Sequence, residues 1–337
     1  MKWIANLWQP VLYRIEKAVS EQSIPKTNDI KGRFTWDDLA QDDADEAQTN
    51  DAKATSSFDH SLWNQVLQRH VHATPGRQVG TVQHLHTVDY EGIRKDPDFQ
   101  AYLDKLKSMN QSPDIVLSRR HRLAFWMNVY NAFCISLLLQ QDALPARILD
   151  LSASNDPVWD RVAGVVAGAS FSLNQIEHDK LRKQFAIAEV HSCIVCASAS
   201  CPDLRNEAFV GTAQLKLQMA DQMKLWLLST SKGMRVEDGT VTLSRIFLWF
   251  RDDFVGTRPG IEQESSGETT KVLKTAPSWL AASDYIPGTD STGKDDDEAG
   301  KLRAMLRSQR TAIRYFEYDW SINDVANSTV IDGDASK

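Results

Sequence analysis

The sequence contains little of what several protein classes require. Four cysteines among 337 residues are too few for a disulfide-stabilised scaffold. The 45 acidic and 38 basic residues leave a net charge of -7, without a basic stripe or a nucleic-acid-binding motif, so we expect no nucleic-acid partner. No apolar run is long enough to span a bilayer, and no internal repeat occurs. These absences favour a globular protein in a reducing compartment, and we predict a cytoplasmic location.

Residues 1–55 predict an accessory segment. Apolar residues recur at helical spacing between Trp3 and Val19, and polar residues occupy the opposite face. The stretch lacks the apolar centre and the cleavage site of a signal peptide. Two interpretations stay open: a helix packed on the main domain, or a peripheral membrane or partner contact through residues 1–20. An acidic linker follows at residues 37–51, which carry seven acidic residues and no basic one.

The strongest predicted element is a central helix at residues 122–140, which is apolar nearly all round. Asn128 and Asn131 share one of its faces, and a buried amide needs hydrogen-bond partners. The two asparagines therefore either clamp a crossing loop or line a site. We predict an α+β fold over residues 56–330, in which this helix packs on a small, mostly antiparallel sheet. The predicted strands include 190–197, 234–243 and 314–319, and polar inserts lie near 256–270 and 287–298.

Local signals around this core predict further elements. Pro75, Gly76 and Gly80 break the pattern between residues 73 and 86, so His84 and His86 are assigned to a loop. Ser172 and Gln175 have the spacing of a capping box, which starts a helix that carries Glu177 and His178. Arg251, Asp252 and Asp253 predict a solvated helix end. Phe316, Tyr318 and Trp320 alternate on the last strand and predict core packing.

Five segments stand in one order along the chain: FWMNVYNAF, FSLNQIEHDKLRK, CIVCASASCPDLR, LSRIFLWFRDDF and FEYDWSIND. Together they resemble the family of domains of unknown function numbered 547 (DUF547), over roughly residues 58–326. The resemblance implies no activity, because the family is defined without one. It implies that Glu177, His178, His191, Cys201 and Pro202 occupy the family's polar motif positions. Cys193 stands where the family usually has an apolar residue.

These positions suggest a thiol-dependent hydrolase or acyl transferase. Cys201, in the turn SASCPDLR, would be the nucleophile, and His178 would be its base. Glu177 or His191 would orient the base, with Asn131 as a competing orienting group or oxyanion donor. The order of histidine before cysteine is opposite to that of papain, so a papain-like arrangement would be permuted. We expect a peptide-like or ester substrate and no cofactor.

Three alternatives remain open for the cysteines. The first is a noncatalytic protein-interaction domain, in which they are core residues or a local clip. The second is a zinc site built from His178, His191, Cys196 and Cys201. On one strand, however, His191 and Cys196 would face opposite sides, so the predicted set contains no metal ligand. The third is a redox pair of Cys196 and Cys201.

Overall fold

The computed structural model describes residues 32–41, 57–153, 156–256, 297–307 and 311–330. The predicted N-terminal helix, the acidic linker from residue 42 onward and nearly all of both polar inserts lie outside these residues. The predictions for those segments, including contact through residues 1–20, therefore stay predictions. Residues 37–41 are the exception, because this part of the predicted linker is helical and inserts Leu39 into the core. The linker prediction is wrong for these five residues.

Helices dominate the first half of the described chain and surround one central helix. The helices are α1 (residues 36–41), α2 (Ser61–His70), α3 (Tyr90–Lys95), α4 (Pro97–Lys107), α5 (Pro113–Val116), α6 (Arg119–Leu139), the π-helical α7 (Gln175–Arg182), α8 (Val190–Cys193), α9 (Leu215–Leu228), α10 (Ile246–Trp249), α11 (Arg251–Gly256) and α12 (Asp297–Arg307).

The strands form three small sheets instead of one. The strands are β1 (Val71–Val79), β2 (Val82–Val88), β3 (Val162–Val166), β4 (Ala169–Ser172), β5 (Met234–Glu237), β6 (Thr240–Leu243), β7 (Ala312–Tyr315) and β8 (Thr329–Val330). They are ordered β2-β1-β8, β3-β4 and β5-β6-β7. Every pair is antiparallel except β6 and β7, which are parallel. The predicted α+β class is confirmed.

Helix α6 is the centre of the larger of two main hydrophobic clusters. Nearly every side chain from Leu123 to Leu138 is buried, as its apolar circumference predicts. Within the described residues, α6 is also the one helix long and apolar enough to cross a bilayer, so the expectation that no apolar run reaches that length is wrong for α6. Most of its apolar window is buried inside the fold. The second cluster joins α9, the β5-β6-β7 sheet and helices α10 to α12.

The capping box predicted at Ser172 is confirmed. The Ser172 amide donates to Gln175 Oε1 at 2.9 Å, and the Gln175 amide donates to Ser172 Oγ at 3.1 Å. These two bonds satisfy backbone donors that a helix start would otherwise leave unpaired. The helix that follows carries Glu177 and His178, as the sequence predicts.

Three predicted elements are wrong because tertiary contacts override local preference. Residues 190–197 form the single turn α8 and then an extended loop, because Asn131 bonds this backbone and takes the place of a neighbouring strand. Residues 73–86 belong to the β1-β2 hairpin, which turns at Gly80 with φ +58°. The breakers Pro75 and Gly76 fall where the strand register shifts, between Ala73 and Arg77. The last strand ends at Tyr315, so the predicted strand 314–319 is mostly a loop.

Candidate functional site

Two cysteine side chains meet at the centre of the candidate site. Cys196 Sγ and Cys201 Sγ lie 3.1 Å apart, and both thiols are free. Throughout the fully described stretch 190–204, Cys196 is the one residue that is not buried. Cys201 is only 4% exposed. The pair therefore has an accessible member and an enclosed member.

Residues 194–201, here called the thiol loop, carry both thiols. Hydrogen bonds from several other segments hold this loop. Asn131, on α6, accepts from the Val195 amide at 2.8 Å and donates to the Cys193 carbonyl at 2.9 Å. On the opposite side, the Asn323 amide donates to the Ala197 carbonyl at 3.0 Å. Ala197 has φ +62°, a left-handed conformation that costs an alanine about 1 kcal/mol. This turn folds the chain back so that the thiols converge.

Hydrogen-bond donors surround the Cys196 sulfur. The Cys201 thiol is 3.1 Å away, the Ser198 hydroxyl 3.1 Å and the Tyr318 hydroxyl 3.4 Å. The thiol of Cys201 and these hydroxyls lower the pKa of Cys196 to about 6, against the opposing effect of burial. These contacts favour the ionised form of Cys196 over that of Cys201.

The pKa of Cys201 is shifted in the opposite direction. Burial, and the neighbouring Cys196 sulfur, raise the pKa of Cys201 well above its ordinary value. Its sulfur accepts the Cys196 amide at 3.1 Å and lies 3.1 Å from Cys196 Sγ. Of the two thiols, Cys196 is therefore the less buried one and the one with the lowered pKa.

The two predicted histidines belong to a separate, buried ion cluster. His191 Nε2 donates to Asp253 Oδ2 at 2.9 Å, and Arg182 Nε donates to the same oxygen at 2.6 Å. Arg182 Nη1 then donates to His178 Nδ1 at 2.7 Å. Burial opposes ionisation, but His191 and Arg182 hold the pKa of Asp253 well below its usual range. The prediction of a solvated helix end is wrong for Asp253, although Arg251 and Asp252 are exposed.

Within this cluster, Arg182 occupies the ring-nitrogen lone pair that His178 would need to act as a base. A general base accepts a proton at an unprotonated ring nitrogen, and His178 Nδ1 already accepts from Arg182. Burial and the nearby Arg182 charge lower the pKa of His178. None of the hydrogen bonds that the described residues make at the Cys201 sulfur comes from a histidine; its partners are Cys196 and Tyr318. The structure does not bring the predicted base and nucleophile together.

The remaining predicted residues have structural partners. Glu177 Oε2 accepts from the Tyr130 hydroxyl at 3.3 Å. Asn131 uses both its amide oxygen and its amide nitrogen to hold the thiol loop. Asn128 likewise donates to the Phe209 carbonyl and accepts from the Phe209 amide. Of the two interpretations for these asparagines, the structure shows the clamp.

The zinc hypothesis does not match the geometry. Its two histidines contact Arg182 and Asp253, whereas its two cysteines contact each other. Among the described residues, no group of three or more histidine, cysteine, aspartate or glutamate side chains is placed to hold a metal ion.

A second buried ion cluster contacts the thiol loop at the Ala199 carbonyl. Lys232 is 1% exposed; its Nζ donates to Asp203 Oδ1 at 2.5 Å and to the Ala199 carbonyl at 3.4 Å. His84 Nδ1 lies 2.7 Å from the same Asp203 oxygen. Burial opposes ionisation, but Lys232 and His84 hold the pKa of Asp203 well below its usual range. The prediction that His84 lies in a loop is wrong, since it is a buried residue of β2.

Sequence analysis missed Tyr318, Asp253 and Lys232. Tyr318 was assigned to core packing and the other two are charged residues in polar segments, so no local pattern marks them. Asp253 and Lys232 each pair with an opposite charge from a distant part of the chain, and such pairing is visible only in three dimensions.

Comparison with known proteins supports the family resemblance over one part of the chain. Residues 116–227 match the family model described as "Protein of unknown function, DUF547". This match includes α6, α7 and the thiol loop, and it confirms the resemblance for that segment. Neither the curated proteins nor the solved structures gave a match.

Proposed function

We propose that the protein performs thiol chemistry in which Cys196 is the nucleophile and Cys201 is its partner thiol. The observation that carries this proposal is the 3.1 Å separation of the two sulfur atoms, with only Cys196 accessible. A low-pKa, accessible cysteine beside a second cysteine is typical of thiol–disulfide exchange centres. The identity of the nucleophile differs from the sequence-based hypothesis, but the chemical class is related.

The exchange proceeds in two balanced steps. The Cys196 thiolate attacks one sulfur of a substrate disulfide, forms a mixed disulfide and displaces the other substrate sulfur as a thiolate. Cys201 then transfers its proton to a departing thiolate and attacks Cys196 Sγ. This attack releases the second substrate thiol and leaves a Cys196–Cys201 disulfide. A dithiol reductant restores the starting state, so a reducing compartment such as the cytoplasm suits the cycle.

The electrostatics of the pair support this order of events. While Cys196 is a thiolate, its charge and its hydrogen bond help keep Cys201 protonated. Formation of the mixed disulfide removes that charge, so the pKa of Cys201 falls when its attack is needed. The Cys196 amide, 3.1 Å from Cys201 Sγ, then stabilises the new thiolate.

The test is the alkylation rate of each cysteine against pH, followed by mass spectrometry of the peptides. We expect Cys196 alone to react fast, with a midpoint near pH 6. Titration with oxidised and reduced dithiothreitol should produce a Cys196–Cys201 disulfide. The matched control is Cys193→Ser. Burial raises the pKa of the Cys193 thiol, so its removal should change neither the fast alkylation of Cys196 nor the formation of the disulfide. A Cys196 that reacts no faster than in the unfolded chain, or a pair that never oxidises, would refute the proposal.

Thiol-dependent hydrolysis or acyl transfer is a second proposal, now with Cys196 in place of Cys201. The favouring observation is that a thiol with a pKa of about 6 is ionised at neutral pH without a histidine base. The thiolate would attack the carbonyl carbon of a peptide-like or ester substrate. The departing group would take the proton of Cys201, and water would release the acyl group from the thioester.

One substitution separates the two proposals. Cys201→Ser keeps a hydroxyl donor beside Cys196 but removes the sulfur that resolves a mixed disulfide. Exchange should then stop at a stable mixed disulfide with the substrate thiol. Turnover of p-nitrophenyl acetate that depends on Cys196 and survives Cys201→Ser would favour acyl transfer instead.

A further inference from the structure

An aromatic surface adjoins the reactive sulfur. Trp249, Tyr318 and Trp320, here called the aromatic trio, are all half-buried. The ring centroids of Tyr318 and Trp320 are 4.4 Å apart, those of Trp249 and Tyr318 are 4.8 Å apart, and those of Trp249 and Trp320 are 5.9 Å apart. The hydroxyl of Tyr318 is 3.4 Å from Cys196 Sγ. The trio therefore begins at a residue that contacts the less buried of the two thiols.

The trio lies at the junction of the two hydrophobic clusters. Trp320 packs on the cluster around α6, whereas Trp249 and Tyr318 pack on the cluster around α9 and the β5-β6-β7 sheet. Junctions between packed units are common places for ligand sites, because rings there keep an exposed face while their other face is supported. Aromatic rings in such places attract other rings through offset or edge contacts.

The hydrogen-bond partners of the Cys196 sulfur are uncharged. The polar contacts of Cys196 are with Ser198, Cys201 and Tyr318. A group attached next to the substrate's reacting atom must approach this sulfur, and it then meets aromatic carbon and hydroxyl groups. Contact area and ring stacking, instead of ion pairing, would select such a group.

We infer that the aromatic trio binds an uncharged aromatic group bonded close to the reacting sulfur of the substrate, such as the Phe or Trp beside a peptide disulfide. This inference rests on the proposed thiol chemistry of Cys196 and names its substrate class. The trio residues are specificity-determining, since they contact the substrate without taking part in bond exchange.

The experiment compares two reagents that share one leaving group. Benzyl and methyl methanethiosulfonate both transfer their sulfenyl group to the Cys196 thiolate and release methanesulfinate. Their rate ratio at Cys196, measured at pH 8 and divided by the ratio for 2-mercaptoethanol, isolates recognition of the ring. We expect about a tenfold preference for the benzyl reagent, equivalent to about 1.4 kcal/mol.

Variants identify which residues produce the preference. Trp320→Leu should lower the normalised ratio at least threefold. Trp159→Leu, which removes a half-buried indole outside the trio, should leave it unchanged. Tyr318→Phe keeps the ring but removes the hydroxyl, so it should retain the ratio while raising the pH midpoint of Cys196. If Trp320→Leu does not fold, Trp249→Leu provides the same comparison.

The outcomes separate this inference from the proposed function. If Cys196 reacts fast with the methyl reagent but the normalised ratio is near one, the aromatic specificity is refuted and the thiol chemistry stands. A preference that survives loss of either indole also refutes the role of the trio. If Cys196 reacts slowly with both reagents across the pH range, the proposed function fails as well.

Discussion

Replacing Cys201 by alanine should raise the pKa of Cys196 by about one to two units. The middle of this range places the pKa of Cys196 in the variant at about 7.5. In the wild type, the pKa of Cys196 falls from an ordinary 9.0 to about 6, which corresponds to about 4 kcal/mol of preference for the thiolate. Several donors share that preference, and the thiol of Cys201 is the largest contributor. A hydrogen bond to a charged group contributes about 1.5–3 kcal/mol, and this range gives the expected shift.

The assay must follow the pH midpoint and not the rate at one pH. With a pKa of 7.5, the ionised fraction of Cys196 at pH 7 falls from about 90% to about 25%. The more basic thiolate, however, is about fourfold more nucleophilic, given a Brønsted coefficient of about 0.4–0.5. The two effects nearly cancel at pH 7. Iodoacetamide alkylation from pH 4.5 to 10, quantified for the Cys196 peptide, separates them.

Two matched variants make this prediction refutable. Cys201→Ser keeps a donor at the same place, so its midpoint should lie between those of the wild type and Cys201→Ala. Cys193→Ala removes a neighbouring buried thiol and should leave the midpoint near pH 6. If Cys201→Ala titrates like the wild type, the short contact between the two sulfur atoms does not stabilise the thiolate, and the assignment of Cys196 as the nucleophile loses its electrostatic basis.

Three further predictions concern stability, measured by urea unfolding. Asp253→Asn leaves Arg182 buried without its charge partner and should cost about 3–5 kcal/mol, whereas Asp252→Asn, at the exposed neighbouring position of α11, should change stability by less than about 0.5 kcal/mol. Ala197→Gly relieves the left-handed conformation at φ +62° and should stabilise by up to about 1 kcal/mol, whereas Ala199→Gly, in the same loop without a positive φ, should destabilise. The folded pKa of Cys196 lies below its unfolded value, so its contribution is complete above about pH 9 and is lost as pH falls toward 6. The free energy of unfolding should therefore rise between pH 6 and 9, and this rise should shrink in Cys196→Ser; an identical slope in both proteins would contradict the assignment.

Elements whose signals are local could be predicted well. The apolar circumference of α6 predicts a buried central helix, because no orientation of that helix leaves a polar face for solvent. Ser172 and Gln175 predict the start of α7, because a capping box depends on residues only three positions apart. The hairpin of β5 and β6 turns at Asp238 and Gly239, both with positive φ, as an Asp-Gly pair between apolar residues predicts.

The candidate site could be predicted only in part. The sequence marks the cysteine-rich stretch and a chemical class, but it places the nucleophile at Cys201 and the base at His178. Burial decides which thiol is accessible, and the partners of His178 decide whether its lone pair is free. Neither property follows from spacing along the chain. Tyr318, more than one hundred residues from Cys196, joins the site only because the C-terminal segment crosses the thiol loop.

The sequence by itself therefore determined the α+β class, the central helix, the capping box and the cysteine stretch, since each depends on the identity of neighbouring residues. The tertiary contacts decide that Cys196 is the less buried thiol with the lowered pKa, that His178 and His191 join Asp253 in a buried ion cluster, and that an aromatic trio adjoins the sulfur. The physical reason is that pKa values and accessibility depend on groups brought close in space, and those groups come from distant parts of the chain.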